Sequence, residues 1–296
     1  MPRRLNVPGG ELDGVLYLRW VRDSERLSAA LQAGGQVVIV GAGWIGLEVA
    51  AAAREYGCAV TVVEPEQGAL YRQVGPELSP VFTGLHTEHG VVFRFEESVT
   101  ELRGAGGAVR EAVTSAGAVL PADLVVVGIG AVPATSLASG AGLDCGNGVI
   151  VDAGLHTSAP DVFAAGDVAN SYHPLFGRHV RVEHWANALN GGPAAARSML
   201  SQGVSYDAVP YFFSDQYDLG MECSGLPEPG TYDKVAYRGD PGSLEFIAFW
   251  LSGGAVVAGM NVNVWDVTGD IQSLIRSARK VDLTRLTDPE VPLADV

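Results

Sequence analysis

Three glycines with the spacing of a phosphate-binding turn are the residues whose types and positions most directly indicate chemistry. Gly41, Gly43 and Gly46 follow an apolar run, Gln36–Val40, and precede a helical pattern. In this context the first glycine allows a sharp turn, the second lets a pyrophosphate approach the backbone, and the third lets the helix pack closely on the strand. Because phosphates bind well at a helix N-terminus, the pattern predicts a dinucleotide site. A glycine cluster that serves only helix packing is the alternative.

An acidic residue at the end of the next apolar run bears on which dinucleotide is bound. Glu64 ends the predicted strand Ala59–Glu64, close to the distance from the glycines at which a carboxylate takes the hydroxyl groups of the adenosine ribose. Glu66 is nearby, and a 2′-phosphate held about 4 Å from a carboxylate would be repelled by roughly 1 to 4 kcal/mol. The two carboxylates therefore favour NADH over NADPH. The alternative is that Glu64 is a solvated residue at a strand end.

Parallel strands joined by helices must position these residues. We predict a helix after the third glycine that stops at Gly57, followed by the strand Ala59–Glu64. From Val91–Phe95 onward, short strands alternate with glycine-rich turns and predict a three-stranded insertion and then a buried strand. Gly128 and Gly130 end that buried strand at the carboxyl edge of the sheet, where we expect them to shape a nicotinamide pocket.

Composition and charge exclude several classes of protein. With 47% hydrophobic and 18% charged residues among 296, the chain is predicted to form two or three compact domains and not a disordered segment. The net charge of −15 argues against nonspecific binding to nucleic acid. No apolar run reaches the roughly 18 residues that span a bilayer, and Met1–Leu16 has no apolar region typical of a secretory signal, so we expect a cytoplasmic protein without a membrane partner.

The cysteines do not form a recognisable redox or metal motif. Cys58, Cys145 and Cys223 are too few and too far apart for a disulfide framework, a CxxC pair or a zinc site. We therefore expect buried free thiols and no metal.

A second motif carries a family resemblance. The segment Thr157–Ala169, with the sequence TSAPDVFAAGDVA, resembles the second FAD motif of the glutathione-reductase-type flavoproteins. The resemblance implies that Gly166 and Asp167 lie at the flavin nucleotide, with the aspartate bonded to its ribityl or phosphate part. The alternative for Asp167 is a helix N-cap.

The segment from Arg181 to Arg197 is similar to the one that follows this motif in the family, where a helix begins near the flavin. The resemblance places Glu183, His184 and Trp185 at the ring. A helix N-terminus there would stabilise a nearby negative charge by about 0.3 to 2 kcal/mol. Hydride transfer between stacked rings requires alignment and no proton abstraction from carbon, so we expect His184 to line the site or support its structure.

Residues of the helix that follows the glycine turn are further candidates for contact with the nucleotide. Trp44 and Ile45 lie between the second and third glycines, and Glu48 follows them. Glu48 resembles the acidic residue that the ferredoxin reductase family places beside the nicotinamide. A simple exposed helix residue is the alternative. No residue is assigned a certain catalytic role.

The C-terminal part narrows the resemblance to a subfamily. Val209–Asp218 is similar to the start of the C-terminal interface domain of bacterial Rieske-type and rubredoxin-type ferredoxin reductases. Phe213 stands where that family commonly has Trp, which preserves an aromatic platform but not the indole N–H donor. Three antiparallel strands and a helix from about Trp265 to Arg279 are predicted to follow.

Basic residues crowd the end of this otherwise acidic chain. They are Arg276, Arg279, Lys280 and Arg285. Such a cluster suits electrostatic docking of an acidic ferredoxin. A solvated helix end with a favourable dipole is the alternative.

Together these segments imply an α/β fold in which a Rossmann-type NAD domain is inserted in a partial FAD domain, followed by a C-terminal α+β interface domain. We expect residues 1–16 to be a remnant of the FAD domain, 17–147 the NADH-binding domain, 148–208 the second FAD segment and 209–296 the interface domain. Family members begin with another glycine-rich βαβ unit for the ADP half of FAD, which we expect this sequence to lack.

The resemblance implies a flavoprotein oxidoreductase that passes electrons from NADH through FAD to a ferredoxin or a rubredoxin-like iron–sulfur protein, and it leaves a homodimer open. A truncated, non-catalytic NADH-binding module is the alternative, and such a module would be colourless yet still bind NADH. A disulfide reductase or flavin peroxidase is disfavoured because the redox cysteines of those relatives are absent.

Replacing Glu64 with Gln should weaken the discrimination between NADH and NADPH. The repulsion of a 2′-phosphate by roughly 1 to 4 kcal/mol would be removed, so NADPH should gain at least about fivefold in affinity relative to NADH. Paired titrations with the two nucleotides measure this ratio, and an unchanged ratio counts against the assignment of Glu64.

Overall fold

The computed structural model describes residues 1–296, which fold as two compact units. None of the helices combines the length and the apolar character needed to span a bilayer.

The first unit comprises Met1–Val132, Ser214–Gly220 and Glu228–Gly230. In chain order its elements up to residue 132 are β1 (Val15–Leu16), α1 (Val21–Gln32), β2 (Gln36–Val40), α2 (Trp44–Glu55), β3 (Ala59–Glu64), α3 (Tyr71–Glu88), β4 (Val92–Phe95), β5 (Val99–Ala105), β6 (Ala108–Thr114), β7 (Val119–Pro121) and β8 (Leu124–Val127).

A parallel sheet with the strand order β1-β8-β2-β3-β4 forms the centre of this unit. Four of the five residues of β2 and all four of β8 are buried, as expected for continuous apolar strands inside a parallel sheet. α2 ends at Glu55, and Gly57 follows with a φ of 79°, a left-handed conformation that glycine adopts without strain. The βαβ unit predicted around the glycine turn is therefore present.

The strand predicted at Val91–Phe95 belongs to the parallel sheet, so its assignment to the three-stranded insertion is wrong. Val92–Phe95 pairs in parallel with β3, with Thr61 opposite Val92. The insertion consists instead of β5, β6 and β7, which pair in antiparallel order. α3 returns the chain to the edge of the same sheet, a crossover that a succession of short apolar runs does not reveal.

A bend in α3 carries its second half into the interior of the unit. Gly75 has the non-helical angles φ 81° and ψ 172° directly before Pro76. Proline disfavours a helical conformation in the residue before it, so the break at this point is expected. Beyond the bend, Phe82 and His86 have no exposed surface. The helix thus places an imidazole inside the protein.

The second unit comprises Pro133–Phe213, Met221–Pro227 and Thr231–Val296. The elements after residue 132 are α4 (Ser136–Gly140), β9 (Cys145–Gly146), β10 (Gly148–Val151), β11 (Ala169–His173), β12 (Arg178–Val180), α5 (Trp185–Met199), β13 (Tyr211–Gln216), β14 (Leu219–Gly225), β15 (Lys234–Asp240), β16 (Glu245–Ser252), β17 (Ala255–Val262), α6 (Thr268–Ser277) and α7 (Leu283–Thr287).

Two sheets organise these elements. The first has the order β12-β11-β10-β9, and the second has the order β13-β14-β17-β16-β15. In the second sheet, β15, β16 and β17 are the three antiparallel strands predicted from the sequence. The helix predicted from Trp265 to Arg279 is shorter, because Asp266 with φ 63° and Ala278 with φ 46° lie outside the right-handed helical region at its two ends.

Burial of the cysteines agrees with the sequence-based expectation for two of the three. Cys58 and Cys223 are buried free thiols, whereas Cys145 is only half-buried. Cys145 lies in the two-residue strand β9 at the edge of its sheet, where one side of the strand has no neighbour to cover it.

A half-buried carboxylate ties three elements of the second unit together. Glu222 in β14 accepts hydrogen bonds from the hydroxyl of Tyr211 at 2.6 Å, from Nδ2 of Asn261 at 3.0 Å and from Oγ1 of Thr268 at 2.8 Å. Burial acts to raise the pKa of Glu222, but the three hydrogen bonds together outweigh it and hold the pKa below its ordinary value of 4.5. The carboxylate is therefore a structural acceptor in its ionised form.

Replacing Glu222 with Gln should lower the free energy of unfolding by about 1 to 3 kcal/mol at neutral pH, because an amide cannot accept all three hydrogen bonds. Since the folded-state pKa is depressed, the stabilisation is complete above the unfolded-state pKa and is lost as the pH falls through the folded-state value. The difference between variant and wild type should therefore shrink in acid. Urea unfolding at neutral and acidic pH measures both effects. Glu245→Gln, at an exposed position of β16, is the matched control, and an equal loss in both variants would contradict the prediction.

Candidate nucleotide-binding site

The glycine turn is held by contacts that leave no room for side chains at two of its three positions. Gly41 has φ 102°, and a Cβ atom there would lie 2.6 Å from the carbonyl oxygen of Gly128. A Cβ atom at Gly46 would overlap the carbonyl oxygen of Gly41. At Gly43, by contrast, the nearest atom to such a Cβ is Nε2 of Gln73, at 3.7 Å. The turn is thus packed tightly on its protein side and open at Gly43, the N-cap of α2.

Glu64 contacts the turn directly. Its Oε2 accepts a hydrogen bond from the backbone N–H of Ala42 at 2.7 Å, and its Oε1 accepts one from the N–H of Glu66 at 2.9 Å. The side chain of Glu66 is engaged elsewhere, since its Oε1 accepts a hydrogen bond from Nε of Arg72 at 2.6 Å. Glu64 therefore fixes the loop in addition to the ribose contact that its position predicts, and it is not a solvated strand-end residue.

Gly128 and Gly130 follow the carboxyl end of β8. The N–H of Gly128 donates to the carbonyl of Val40 at 2.8 Å, which keeps it beside β2 and the glycine turn. Gly130 has φ 89°, and its carbonyl accepts a hydrogen bond from the N–H of Arg3 at 2.9 Å. Only Gly128 therefore packs against the turn itself.

Glu48 in α2 is paired through its carboxylate. Its Oε1 accepts a hydrogen bond from Oγ of Ser214 at 2.7 Å. Partial burial of the carboxyl group raises the pKa of Glu48, the hydrogen bond from Ser214 acts to lower it, and the nearby charge of Asp215 acts to raise it. Glu48 is an exposed residue of the helix, as the alternative interpretation expects, but its carboxylate is bonded to Ser214.

The two residues between the second and third glycines have different environments. Trp44 packs edge-on against Phe82, with ring centroids 5.6 Å apart. Ile45 is 47% exposed. Trp44 supports the helix from inside, and Ile45 offers apolar surface at the mouth of the turn.

Asp167 lies in a tight turn of the second unit. Gly166–Val168 form a single turn of 3₁₀ helix, and Gly166 has φ 72°. A Cβ atom at Gly166 would lie 3.4 Å from that of Ala188, so the turn packs closely on α5. The side chain of Asp167 is exposed. The N-cap of this turn is Ala165 and that of α5 is His184, which rules out the N-cap alternative for Asp167.

Arg181 holds this turn in place. Its Nη1 donates to the carbonyl of Asp167 at 3.1 Å, and its Nε donates to Oδ1 of Asn147 at 3.0 Å. The same guanidinium forms an ion pair with Glu183. The sequence motif indicates no role for Arg181, which in the structure holds the backbone at Asp167.

His184 is the N-cap of α5. Its Nδ1 accepts a hydrogen bond from the N–H of Ala186 at 3.2 Å, which requires the proton of the neutral ring to be on Nε2. Burial lowers the pKa of His184, although the charge of Asp167 acts in the opposite direction. The ring lies edge-on to Phe213 at 5.2 Å between centroids. This arrangement agrees with a lining and structural role and leaves Trp185, which is 66% exposed, as the open aromatic face.

Most of the C-terminal basic cluster is bonded within the second unit. Arg276 pairs with Asp207 at 3.3 Å, Arg279 donates to the carbonyl of Val296, and Arg285 donates to that of Asp295 at 3.1 Å. These bonds favour the alternative in which the cluster is a solvated, structural helix end.

The residues present fit both predicted nucleotides. The opening at Gly43, with Glu64 beside it, leaves backbone accessible to a pyrophosphate. In the second unit, the exposed carboxylate of Asp167 follows Gly166, whose φ of 72° is a left-handed conformation that favours glycine. Sequence reasoning missed His86, Ser214 and Gln216. Ser214 bonds to Glu48 across 166 positions and Gln216 bonds to His86 across 130, and nothing in the sequence marks residues so far apart as neighbours.

Two protein families match the sequence. The family described as pyridine nucleotide-disulphide oxidoreductase matches residues 1–192, and the family described as reductase C-terminal matches residues 211–296. The fold class predicted from the sequence is confirmed, as is the resemblance on which it was based.

Curated relatives and solved structures are similar over almost the whole chain. The ferredoxin–NAD(+) reductase component of the anthranilate 1,2-dioxygenase system from Burkholderia cepacia is 41% identical over 294 residues, which are 98% of this chain and 72% of that protein. Putidaredoxin reductase from Pseudomonas putida is 34% identical over 305 residues, covering 100% of this chain and 71% of that protein. A ferredoxin reductase from Rhodopseudomonas palustris superimposes with a TM-score of 0.95 at 35% identity, over 100% of this chain and 73% of its own.

A glycine substitution pair tests the packing of the turn. The Cβ atom of Gly46→Ala would overlap the carbonyl oxygen of Gly41. This substitution should therefore abolish measurable NADH binding and lower the free energy of unfolding by roughly several kcal/mol, as severe steric clashes do. Gly84→Ala in α3 meets no atom within 4 Å and should keep NADH affinity while stabilising the helix by up to about 1 kcal/mol. Isothermal titration and thermal unfolding measure these effects, and equal behaviour of the two variants would show that the packing argument is wrong.

Proposed function

The chain belongs to the pyridine nucleotide-disulphide oxidoreductase family, and we propose that it is a FAD-dependent reductase that passes electrons from NADH to a ferredoxin or rubredoxin. The observation that carries this proposal is the glycine turn, which is packed shut at Gly41 and Gly46 and open at Gly43 beside the carboxylate of Glu64. Such a turn binds a pyrophosphate by its backbone and an adenosine ribose by its acid.

The named relatives support the iron–sulfur acceptor. They include the reductase component of a dioxygenase system, putidaredoxin reductase and rubredoxin–NAD(+) reductase from Ectopseudomonas oleovorans, the last 37% identical over 249 residues. A solved complex of putidaredoxin reductase with putidaredoxin superimposes with a TM-score of 0.91 over 99% of this chain. The cofactors predicted for the family, FAD and a nicotinamide dinucleotide, are confirmed by these assignments.

The preference for NADH over NADPH rests on two carboxylates. Glu64 ends β3 and Glu66 lies two positions later, and the only cation bonded to them is Arg72, which Glu66 neutralises. A 2′-phosphate would therefore meet net negative charge, whereas two ribose hydroxyls could donate to Glu64.

Each candidate residue has a proposed place. We assign to NADH the residues Gly41, Gly43, Trp44, Ile45, Gly46, Glu48, Glu64, Gly128 and Gly130, and to FAD the residues Gly166, Asp167, Glu183, His184, Trp185 and Phe213. When bound, FAD supplies a two-electron acceptor that can return electrons one at a time. With FAD bound, the neutral ring of His184 and the aromatic residues beside it would shield the flavin from water, and the carboxylate of Asp167 would accept a hydrogen bond from the nucleotide.

The domain organisation and location form part of the same proposal. Residues 17–147 would bind NADH, 148–208 would contact FAD and 209–296 would form the interface domain, with 1–16 as a segment of the FAD domain. Support comes from the match of the reductase C-terminal family to residues 211–296. A cytoplasmic location, as predicted from the sequence, suits the free thiols of the three cysteines.

The experiment that tests this function begins with the purified chain and added FAD. Anaerobic NADH should bleach the flavin absorbance, and subsequent addition of an oxidised ferredoxin or rubredoxin should restore it. A chain that binds NADH but acquires no flavin would instead support the NADH-binding module.

Replacing Asp167 with Asn should weaken FAD binding by about 10- to 100-fold, the usual effect of losing a charge-assisted hydrogen bond. Asp161→Asn is the matched control, since it removes an exposed carboxylate from the same segment and Asn tolerates the φ of 60° at that position. Fluorescence titration with FAD measures both affinities. Equal FAD affinity for the two variants would contradict the role of Asp167.

A further inference from the structure

Five side chains of the first unit form one continuous chain of hydrogen bonds that ends at Glu48. Oε1 of Glu48 lies 2.7 Å from Oγ of Ser214, and that Oγ lies 3.1 Å from Nε2 of Gln216. Oε1 of Gln216 lies 2.8 Å from Nε2 of His86, whose Nδ1 lies 3.4 Å from the hydroxyl of Tyr217. The chain joins α2, α3 and the segment Ser214–Gly220.

The direction of every bond in this chain is determined by the chemistry of its members. The amide nitrogen of Gln216 can only donate, so the hydroxyl of Ser214 accepts that bond and uses its own proton toward Glu48. The amide oxygen of Gln216 can only accept, so Nε2 of His86 carries a proton and Nδ1 is left to accept from Tyr217. All donors therefore point toward the carboxylate.

Burial makes this arrangement costly to rearrange. Gln216 and His86 have no exposed surface, and Ser214 is 2% exposed. Breaking any inner bond would leave a buried donor or acceptor unsatisfied, which destabilises the folded protein. A fully satisfied buried network of this kind holds its members in one conformation.

Burial and the charged groups around the hydrogen-bond network keep His86 and Tyr217 in the protonation states that these bonds require. Burial lowers the pKa of His86, and the neighbouring His89 lowers it further, although the bond to Gln216 acts to raise it. Burial raises the pKa of Tyr217 to about 12, with Arg54 and Glu55 acting in opposite directions on it. The imidazole is thus neutral and the phenol protonated near neutral pH.

We propose that Ser214, Gln216 and His86 are positioning residues that hold the Glu48 carboxylate ionised and in a single orientation for the nicotinamide nucleotide. The proposal rests on the proposed place of Glu48 at the NADH site. Oε1 of Glu48 accepts the hydrogen bond from Ser214, whereas Oε2 has no hydrogen-bond partner in the protein. One oxygen therefore remains to accept a hydrogen bond from the ligand. Ser214 and Gln216, which belong to the predicted interface domain of residues 209–296, would thereby form part of the NADH site.

The pH profile of NADH binding distinguishes this role from a merely structural one. The hydrogen bond from Ser214 acts to lower the pKa of Glu48, so Ser214→Ala should raise that pKa. NADH affinity, measured by isothermal titration from acid to neutral pH, should then fall off at a higher pH than in the wild type. At neutral pH it should be weaker by about 3- to 10-fold, the fold-change expected from a misplaced acceptor.

Matched variants identify the cause of any change. Ser214→Thr keeps the hydroxyl and should restore the wild-type profile. Ser198→Ala removes a hydroxyl that is also buried but has no hydrogen-bond partner, and it should leave NADH binding unchanged. If Ser214→Ala fails to fold, Ser214→Cys keeps the size of the side chain with a much weaker donor and should give the same shift.

Glu48→Gln separates failure of this inference from failure of the proposed function. If Glu48→Gln binds NADH like the wild type at every pH, the place of Glu48 at the NADH site is wrong. If Glu48→Gln weakens binding but Ser214→Ala leaves both the affinity and the pH profile unchanged, the positioning network is wrong. If the network is correct, the double variant should bind NADH no more weakly than Glu48→Gln alone, because both changes act through the same carboxylate.

Discussion

Close contact between backbone atoms at the glycine turn is the constraint on which the nucleotide site depends. The carbonyl oxygen of Gly128 occupies the space where a Cβ atom of residue 41 would lie, and that of Gly41 does the same for residue 46. With no side chains at these positions, β2, α2 and the end of β8 approach one another closely enough to form a rigid loop. Glu64 adds a hydrogen bond to the N–H of Ala42, so the loop is shaped before any ligand arrives. A pre-formed loop loses little conformational entropy on binding.

Two carboxylates show how their surroundings assign different tasks to the same side chain. Glu222 receives three hydrogen bonds, which together outweigh the effect of burial and hold its pKa low. Glu48 receives one, from Ser214, and partial burial raises its pKa instead. The first carboxylate is saturated by the protein and serves stability. The second keeps an oxygen that the protein leaves open, which is the condition for accepting a bond from a ligand.

Buried His86 and half-buried His184 serve as hydrogen-bonding groups of defined tautomer and not as acids or bases. Burial lowers the pKa of both His86 and His184. Each ring has one nitrogen committed by its partner, Gln216 for the first and the N–H of Ala186 for the second. This use of histidine suits a hydride-transfer enzyme, in which alignment of two rings matters and no proton is removed from carbon.

The sequence by itself determined those secondary-structure elements whose signals lie within a few neighbouring residues. Apolar periodicity and the glycine spacing predicted the βαβ unit, and strand patterns predicted β15, β16 and β17. The same local reasoning placed β4 in the wrong sheet and extended α6 through Asp266, which has a left-handed backbone conformation.

Only the tertiary structure decided which polar side chains meet. Glu48 bonds to a serine 166 positions away, and His86 bonds to a glutamine 130 positions away. The basic residue Arg276 bonds to Asp207 within its own unit, although its place in the sequence had suggested a free docking surface. The physical reason is that buried faces produce a periodic pattern of apolar residues in the sequence, and turns are marked by particular residue types such as glycine. The pairing of polar groups depends instead on which distant segments the packed core brings into contact.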